Sequence, residues 1–270
     1  MAAGGVCSLH PGATETLAAL GLAGRLTGIS DRCDWPESVA ALPRLTRTIG
    51  AEQRLDMDAL AALAPASVVV PAKLLPQIDR GRLGDAEEIV VDPQRIVEIE
   101  AMVAHLADRM GVAGRAAEVV DTIQKPIESV LAAVIGVERP PVLVLESVRP
   151  PVAAGGWVPE MVGIAGGRAV IGEGGAPARP TSAEEITGAG PALVVVALRW
   201  EDAVAAAREG SRLTGLDRPL VAVDAHAYYS RPGPRITYGI VQLAHLMHPD
   251  RVADPGVPAI AVGGAGGAGR

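Results

Sequence analysis

Four segments of the sequence contain most of the residues that could bind a ligand. They are Ser8–Glu15, Ser30–Pro36, Gly155–Glu160 and Asp224–Arg235. The chain has three tryptophans, three tyrosines and no phenylalanine, and four of these six rings lie in the segments: Trp35, Trp157, Tyr228 and Tyr229. Aromatic side chains on loops are typical of ligand sites, so we predict that these rings form a ligand wall. The alternative for each ring is that it closes the end of an aliphatic core.

The elements that must position these segments alternate along the chain in the pattern of a parallel α/β sheet. Short aliphatic runs predict seven strands: Val6–Leu9, Arg25–Ser30, Ser67–Val70, Glu88–Asp92, Val142–Glu146, Leu193–Ala197 and Leu220–Asp224. Helices are predicted between them, including Ala13–Leu20, Met57–Ala64, Glu201–Arg208 and Pro234–Met247. Ligands of open parallel sheets bind beyond the carboxyl ends of the strands, which is where three of the four segments lie.

The middle of the chain is predicted to be helical without a strand, from Pro93 to about Val137. The predicted fold class is therefore α/β, with two Rossmann-like lobes that contain parallel sheets and are joined by a long helical spine. The expected boundaries are 1–93 for the first lobe, 94–137 for the linking helices and 138–255 for the second lobe. Residues 256–270 are rich in Gly and Ala and are predicted to be a flexible tail.

A short internal repeat supports two equivalent lobes. Asp58–Val70 aligns with Glu184–Val196, and each segment is predicted to contain a helix, a proline turn and a buried strand. In this register Lys73 matches Arg199, and both cations are expected at strand ends that face the ligand. Two cations would suit an anionic chelate such as a ferric siderophore. The alternatives are a chance repeat in Ala/Val-rich sequence and ordinary solvated charges.

Composition excludes several classes of protein. With 270 residues and 49% hydrophobic residues, the chain can bury a substantial core, which the lack of phenylalanine predicts to be aliphatic. The formal net charge is −7 and no run of Lys or Arg occurs, so a nucleic-acid partner is not expected. We expect a monomer that binds a small-molecule ligand.

Cysteine usage and the N-terminal residues bear on the compartment. Cys7 and Cys33 have no metal-ligand spacing and are expected to be free thiols, with a single bridge as the alternative. The sequence as given shows neither a signal peptide nor an apolar run long enough for a membrane span, which predicts a cytoplasmic protein. If the chain is truncated or its start is misassigned, an extracytoplasmic location is expected instead.

Sequence motifs for catalysis are missing. The sequence contains no Gly-x-Ser-x-Gly, His-Glu-x-x-His or P-loop pattern, so no enzyme activity, catalytic residue, metal or cofactor is predicted. A metal site could be assembled from Asp224, His226, His245 and His248, which would suit a metal-dependent hydrolase. We consider surface or capping roles for these side chains the better interpretation.

Four motifs together resemble the cobalamin-binding substrate-binding proteins of ABC importers, in the class that also carries iron–siderophores and heme. They are Ser8-Leu-His-Pro-Gly-Ala-Thr-Glu15, Ser30-Asp-Arg-Cys-Asp-Trp-Pro36, Gly155-Gly-Trp-Val-Pro-Glu-Met161 and Tyr229-Ser-Arg-Pro-Gly-Pro-Arg235. The resemblance runs from about Val6 to Arg251. It implies two Rossmann-like lobes joined by a rigid helix, with a corrinoid held between the lobes.

The resemblance also implies specific contacts. The ligand contacts of the family would fall at Gly12, Trp35, Thr48, Val152, Tyr228, Tyr229 and Arg231. Members of this family dock on a membrane permease through one carboxylate on each lobe, which would be Asp58 and Glu184 here. Local capping is the alternative, because Asp56 is placed to cap one helix and Thr181-x-x-Glu184 reads as a capping box.

We therefore predict a protein that binds cobalamin or a related corrinoid without catalysis, as the substrate-binding protein of an ABC importer. Cobalamin would be a transported ligand and not a cofactor. Binding of a ferric siderophore or heme is the alternative function. The chain departs from the family by having Thr48 and Val152 where cobalamin binders can place aromatic rings, which would weaken its contact with the corrin face.

Overall fold

The computed structural model describes residues 4–50, 52–213 and 218–263 of the chain. Over these residues the chain divides into two compact units. The first unit comprises Met1–Pro93, Val97–Thr122 and Pro232–Pro234, and the second comprises Gln94–Ile96, Ile123–Arg231 and Arg235–Arg270. Among the described helices, none is both long enough and apolar enough to cross a membrane.

The first unit is built on a parallel sheet of four strands. In chain order its strands are β1 (Val6–Ser8), β2 (Leu26–Ile29), β3 (Thr46–Ile49), β4 (Glu52–Leu55), β5 (Ser67–Pro71) and β6 (Glu87–Val91). The sheet order is β2-β1-β5-β6, while β3 and β4 form a separate antiparallel hairpin. The helices that follow the strands are α1 (Pro11–Ala19), α2 (Met57–Ala62), α3 (Ile96–Arg109) and α4 (Ala116–Ala133). The boundary between the two units falls within α4, after Thr122.

The second unit contains a mixed sheet with a parallel centre. Its strands are β7 (Pro141–Val148), β8 (Pro151–Ala153), β9 (Arg168–Ala169), β10 (Arg179–Pro180), β11 (Leu193–Val196), β12 (Leu220–Val223) and β13 (Ala259–Val262). Their order is β10-β8-β7-β11-β12-β13, and β9 pairs in parallel with β7. Its helices are α5 (Val158–Ile164), α6 (Ala183–Ala189), α7 (Ala203–Gly210), α8 (Ala225–Tyr228) and α9 (Ile236–Met247).

The parallel centre of each sheet agrees with the α/β prediction. All seven predicted strands form, and β7-β11-β12 pair in parallel as β2-β1-β5-β6 do. Both cores are aliphatic, as the composition predicts. The cores contain Leu9, Leu45, Leu60, Val68 and Val70 in the first unit and Leu143, Leu145, Val194, Val196 and Ala222 in the second.

The predicted flexible tail over 256–270 is wrong for Ala259–Val262. These four residues form β13, which pairs antiparallel with β12 at the edge of the sheet. Small and branched residues alternate in Ala-Ile-Ala-Val, so Ile260 and Val262 can pack on the core while the backbone completes the ladder. Gly264–Arg270, the end of that predicted tail, lies outside the described residues.

The internal repeat produces the same local structure twice. α2 and α6 are each followed by a proline, Pro65 or Pro191, and β5 and β11 each begin two residues after it. Asp56 caps α2 by accepting a hydrogen bond from the amide of Ala59 at 2.9 Å. Asp58 and Glu184 are each the second residue of their helix, so the repeat aligns equivalent helical positions.

The predicted capping box Thr181-x-x-Glu184 is wrong by one residue. Ser182 is the N-cap of α6, and its hydroxyl accepts from the amide of Glu185 at 3.1 Å. The Thr181 hydroxyl instead donates to the Glu185 carboxylate at 2.7 Å, which fixes that side chain against the start of the helix. Neither role involves the side chain of Glu184.

We expect Ser182→Ala to lower the free energy of unfolding by about 1 kcal/mol, because the amide of Glu185 loses its acceptor. Glu184→Gln is the matched control and should leave the stability unchanged. Urea denaturation of the two variants measures both effects. A loss of stability in Glu184→Gln with none in Ser182→Ala would contradict the cap assigned here.

Candidate functional site

A cavity of about 210 Å³ lies in the second unit, where the parallel strands β7 and β11 end. The contributing parts are Gln94 before α3, the end of β7, the segment from β8 to the start of α5, the residues before β10, the segment after β11 and the residues after α8. The lining residues are Gln94, Glu146, Ala154, Gly155, Gly156, Trp157, Val158, Pro177, Ala178, Ala197, Arg199, Tyr229 and Ser230. The position agrees with the rule that parallel sheets bind ligands at their carboxyl edge.

Trp157 is held in place by a hydrogen bond across the cavity wall. Its indole Nε1 donates to the backbone oxygen of Tyr229 at 3.0 Å. Gly155, two residues earlier, approaches the backbone of Pro177 and Ala178 so closely that a Cβ atom would lie 2.4 Å from the amide nitrogen of Ala178. This segment therefore requires glycine, and the indole is presented in a fixed position.

Glu146 and Arg199 bring opposite charges into the same cavity. The nearest nitrogen and oxygen atoms of the two side chains are 3.6 Å apart. Burial raises the pKa of the Glu146 carboxyl, and the positive charge of Arg199 partly opposes this shift. The carboxylate balances the guanidinium, so the cavity carries little net charge from this pair.

The segment that carries Arg199 has an unusual backbone conformation. Trp200 adopts a φ of 66°, in the left-handed region that non-glycine residues rarely occupy. Its amide donates to the hydroxyl of Ser230 at 3.1 Å, and the amide of His226 donates to the backbone oxygen of Glu201 at 2.9 Å. These bonds tie the residues after β11 to the α8 region and position Arg199 at the cavity.

The predicted tyrosines and arginine of the α8 region occupy different environments. Tyr229 is buried, its hydroxyl donates to the side-chain oxygen of Gln242 at 2.9 Å, and burial raises its pKa. Tyr228 packs against Tyr238, with ring centroids 5.7 Å apart, and under the guanidinium of Arg235. Arg231 is buried, with its guanidinium against Nε2 of His226.

Two open cavities lie in the first unit. One, of about 750 Å³, is lined by Thr48, Asp58 and other residues of the β3–β4 hairpin and α2. The hydroxyl of Thr48 accepts from Nε of Arg32 at 3.2 Å. Partial burial favours a higher pKa for Asp31, but hydrogen bonds from Thr46, Thr48 and Gln53 outweigh it and lower this pKa. Lys73 lies just after β5 and lines the second cavity, of about 580 Å³.

His10 and Gly12 shape the start of α1. Nδ1 of His10 caps the helix by accepting from the amide of Ala13 at 3.0 Å. Burial, reinforced by the positive charge of Lys73, lowers the pKa of His10 to about 4, so the ring is neutral at pH 7. Gly12 packs against Pro232, whose carbonyl oxygen would lie 2.1 Å from a Cβ atom at this position. Packing therefore gives a reason for glycine here.

The two cysteines are both buried and form no disulfide. Burial raises the pKa of Cys7. Cys33 lies within hydrogen-bond distance of two hydroxyls, those of Thr14 at 3.1 Å and Ser30 at 3.2 Å. This buried polar cluster joins the start of α1 to the loop that carries Trp35, a side chain that is 48% exposed.

The side chains considered for a metal site serve local roles. Asp224 caps α8 by accepting from the amide of Ala227 at 2.9 Å. His245 lies 2.9 Å from the backbone oxygen of Val252, and His248 lies 3.2 Å from that of Gly166. The described part of the chain contains no group of three or more His, Cys, Asp or Glu side chains arranged to hold a metal ion.

The structure brings only some of the predicted site residues together. Trp157, Arg199 and Tyr229 line one cavity of the second unit, and Thr48 and Asp58 line one cavity of the first. The described lining of these cavities does not include Gly12, Trp35, Val152, Tyr228, Arg231 or Glu184.

Sequence reasoning missed Glu146 and Ser230 as residues of the second-unit cavity. Glu146 is the last residue of a predicted strand, Val142–Glu146, so it lies at the ligand-binding edge of the sheet. A charged residue at the end of an aliphatic strand therefore indicates a candidate ligand contact. Ser230 lies in the predicted ligand-binding segment Asp224–Arg235, but its residue type does not single it out there, because its role depends on a contact with Trp200.

Comparisons with known proteins agree with this architecture. The family profile described as "Periplasmic binding protein" matches residues 6–217. The periplasmic heme-binding protein RhuT from Roseiflexus sp. RS-1 is 23% identical, with a TM-score of 0.72 over 89% of this chain and 96% of that chain. A search of curated proteins found no match.

Two solved structures from Vibrio cholerae are also similar. The periplasmic heme-binding protein HutB is 20% identical, with a TM-score of 0.71 over 90% of this chain and 98% of that chain. The periplasmic vitamin B12 binding protein BtuF is 19% identical, with a TM-score of 0.65 over 88% of this chain and 94% of that chain. At such identities these likenesses show a shared fold.

We expect the stability of the protein to fall between pH 6.5 and pH 4 because of His10. The unfolded chain takes up a proton near pH 6.5, whereas the folded chain resists it until about pH 4, so folding is progressively disfavoured in this window. The loss is about 3 kcal/mol in total and is complete below the folded pKa.

The variant His10→Asn isolates this contribution. Asparagine caps helices well and does not titrate, so its free energy of unfolding should fall less steeply over the same pH range. Urea denaturation of both proteins at a series of pH values measures the difference. Parallel profiles would show that His10 does not cause the pH dependence.

Proposed function

The chain belongs to the periplasmic binding protein family, and on that basis we propose that it binds cobalamin or a related corrinoid as the substrate-binding protein of an ABC importer. Proteins of this family are solute-binding proteins rather than enzymes, and they carry ligands rather than cofactors. The corrinoid would therefore be a transported solute.

The charge balance in the second-unit cavity carries this proposal. A corrinoid presents many uncharged amide side chains and has almost no net charge. The cavity offers an indole face at Trp157, hydrogen-bonding groups at Gln94 and Ser230, and an arginine whose charge is balanced by Glu146. Such a lining suits a nearly neutral, amide-rich ligand better than a strongly anionic one.

The available iron ligands also favour a corrinoid over heme. Heme iron takes an axial ligand such as His, Cys, Met or Tyr from the protein, whereas cobalamin supplies its own lower base. Among the described lining residues of the cavity, the only side chain of these types is Tyr229, and its hydroxyl is bonded to Gln242.

An anionic heme or ferric siderophore is the second candidate. Lys73 and Arg199 favour it, because both cations follow equivalent strands, β5 and β11, and each lines a cavity. The pairing of Arg199 with Glu146 counts against it, since a paired guanidinium attracts an anion less strongly. The argument for a corrinoid does not rest on the other predicted contacts, but these contacts remain part of the proposal. They are Gly12, Trp35, Thr48, Val152, Tyr228 and Arg231.

We also propose that Asp58 and Glu184 dock on an ABC permease. Both carboxylates are exposed, and they occupy the same position in equivalent helices. The helices are capped by Asp56 and Ser182, so capping does not account for these two side chains. The ion pair of Asp58 with Arg82, at 2.6 Å, is exposed and therefore contributes little to stability.

Titration with cobalamin, cobinamide and heme tests the ligand class. Cobalamin should quench tryptophan fluorescence and raise the melting temperature, because the ligand would lie against Trp157 and bind only the folded protein. Binding of heme without binding of cobalamin would replace the proposal with the second candidate. No quenching and no thermal shift with any of the three would rule out this class of ligand.

Glu146→Gln tests the charge argument. The substitution leaves Arg199 without its carboxylate partner, so the ratio of heme affinity to cobalamin affinity should rise about tenfold. Glu201→Gln is the matched control, because this exposed carboxylate is not among the lining residues of the cavity. An unchanged ratio in Glu146→Gln would show that the pair does not set ligand charge selectivity.

A further inference from the structure

The β3–β4 hairpin places two positive charges directly opposite each other. Arg47 and Arg54 are register partners across the two strands, and both side chains are exposed. Opposite residues of an antiparallel pair have Cβ atoms about 5 Å apart, and like charges at this spacing are destabilising.

The acidic side chains that line the cavity beside this pair, Asp31, Asp56 and Asp58, have other partners. Asp31 accepts hydrogen bonds from Thr46 and Gln53 at 2.7 and 2.9 Å. Asp56 is the cap of α2, and Asp58 pairs with another arginine, Arg82.

Carboxylates neutralise the positive charges of Arg47 and Arg54 only weakly. Arg54 lies 3.4 Å from Glu52 in an ion pair that is exposed on both sides and is therefore weak. Within the described ranges, Arg47 forms no ion pair.

The surface around the two arginines is concave and carries charges of both signs. Arg47 and Arg54 line the cavity of about 750 Å³ together with Arg44 and Arg82 and with the carboxylates of Asp31, Asp56 and Asp58. A guanidinium donates through a planar fork that matches the oxygens of a phosphate group, and two guanidinium groups can share one such group. A bound phosphate would also remove the repulsion between the two charges.

We propose that Arg47 and Arg54 form an anion subsite that binds a phosphate group. This inference rests in part on the proposed function, because cobalamin carries one phosphodiester in its nucleotide loop and cobinamide lacks it. The shared chemistry is a phosphate oxyanion, supplied either by the corrinoid or by free inorganic phosphate.

The double variant Arg47→Gln/Arg54→Gln tests the subsite in two arms. In the first, inorganic phosphate at constant ionic strength should raise the melting temperature of the wild type but not that of the double variant. In the second, the ratio of cobalamin affinity to cobinamide affinity should fall about tenfold in the double variant, as expected for the loss of charge-assisted hydrogen bonds. Arg80→Gln is the control, since Arg80 is an exposed arginine of the same unit that pairs with Glu88 and does not line this cavity.

Each outcome decides a different point. A response to phosphate with an unchanged corrinoid ratio would support the subsite and overturn the corrinoid phosphodiester as its occupant. No response in either arm would overturn the subsite. If the wild type binds neither corrinoid, the proposed function fails while the phosphate arm still decides the subsite. Without phosphate, the melting temperature of the double variant should equal or exceed that of the wild type, because the repulsion is gone.

Discussion

The parallel pairing of β7 with β11 is the constraint on which the second-unit cavity depends. Parallel strands end at the same edge of a sheet, so residues far apart in sequence meet there. Beyond the regular ladder, the amide of Arg199 donates to the backbone oxygen of Glu146 at 3.1 Å, and the two side chains then meet at 3.6 Å. A neutral pair of charges, instead of a lone cation, follows directly from this register. The hydrogen bonds of Ser230 and Trp157 complete the wall around it.

The same local design appears in both units. A capped helix, a proline and a buried strand lead to a cation after the strand, Lys73 in one unit and Arg199 in the other. The two cations differ in their surroundings. Arg199 meets a partly buried carboxylate, whereas Lys73 lies beside a buried neutral histidine whose protonation it disfavours. Equivalent positions in the repeat have therefore acquired different electrostatic roles.

The sequence predicts the central strands well, because a buried parallel strand must be a continuous aliphatic run. It predicts the edges poorly. The strand Ala259–Val262 carries only two residues that pack on the core, and β9 and β10 have two residues each, too few for a periodic signal. In the candidate site, Trp157 and Arg199 could be found from residue type and position. Glu146 could not be assigned as the partner of Arg199 without the strand register, and the choice of Ser182 over Thr181 as the cap depends on backbone geometry at one residue.

The packing of Gly12 against Pro232 has a consequence for synthesis of the chain. The first unit contains both the N-terminal strands and Pro232–Pro234, so a contact spanning some 220 positions belongs to its native packing. A ribosome releases the chain from its N-terminus, and the glycine of α1 emerges long before the proline that covers it. The first unit therefore cannot reach its complete packing until the chain has been translated past Pro232. Until then the start of α1 lacks its cover.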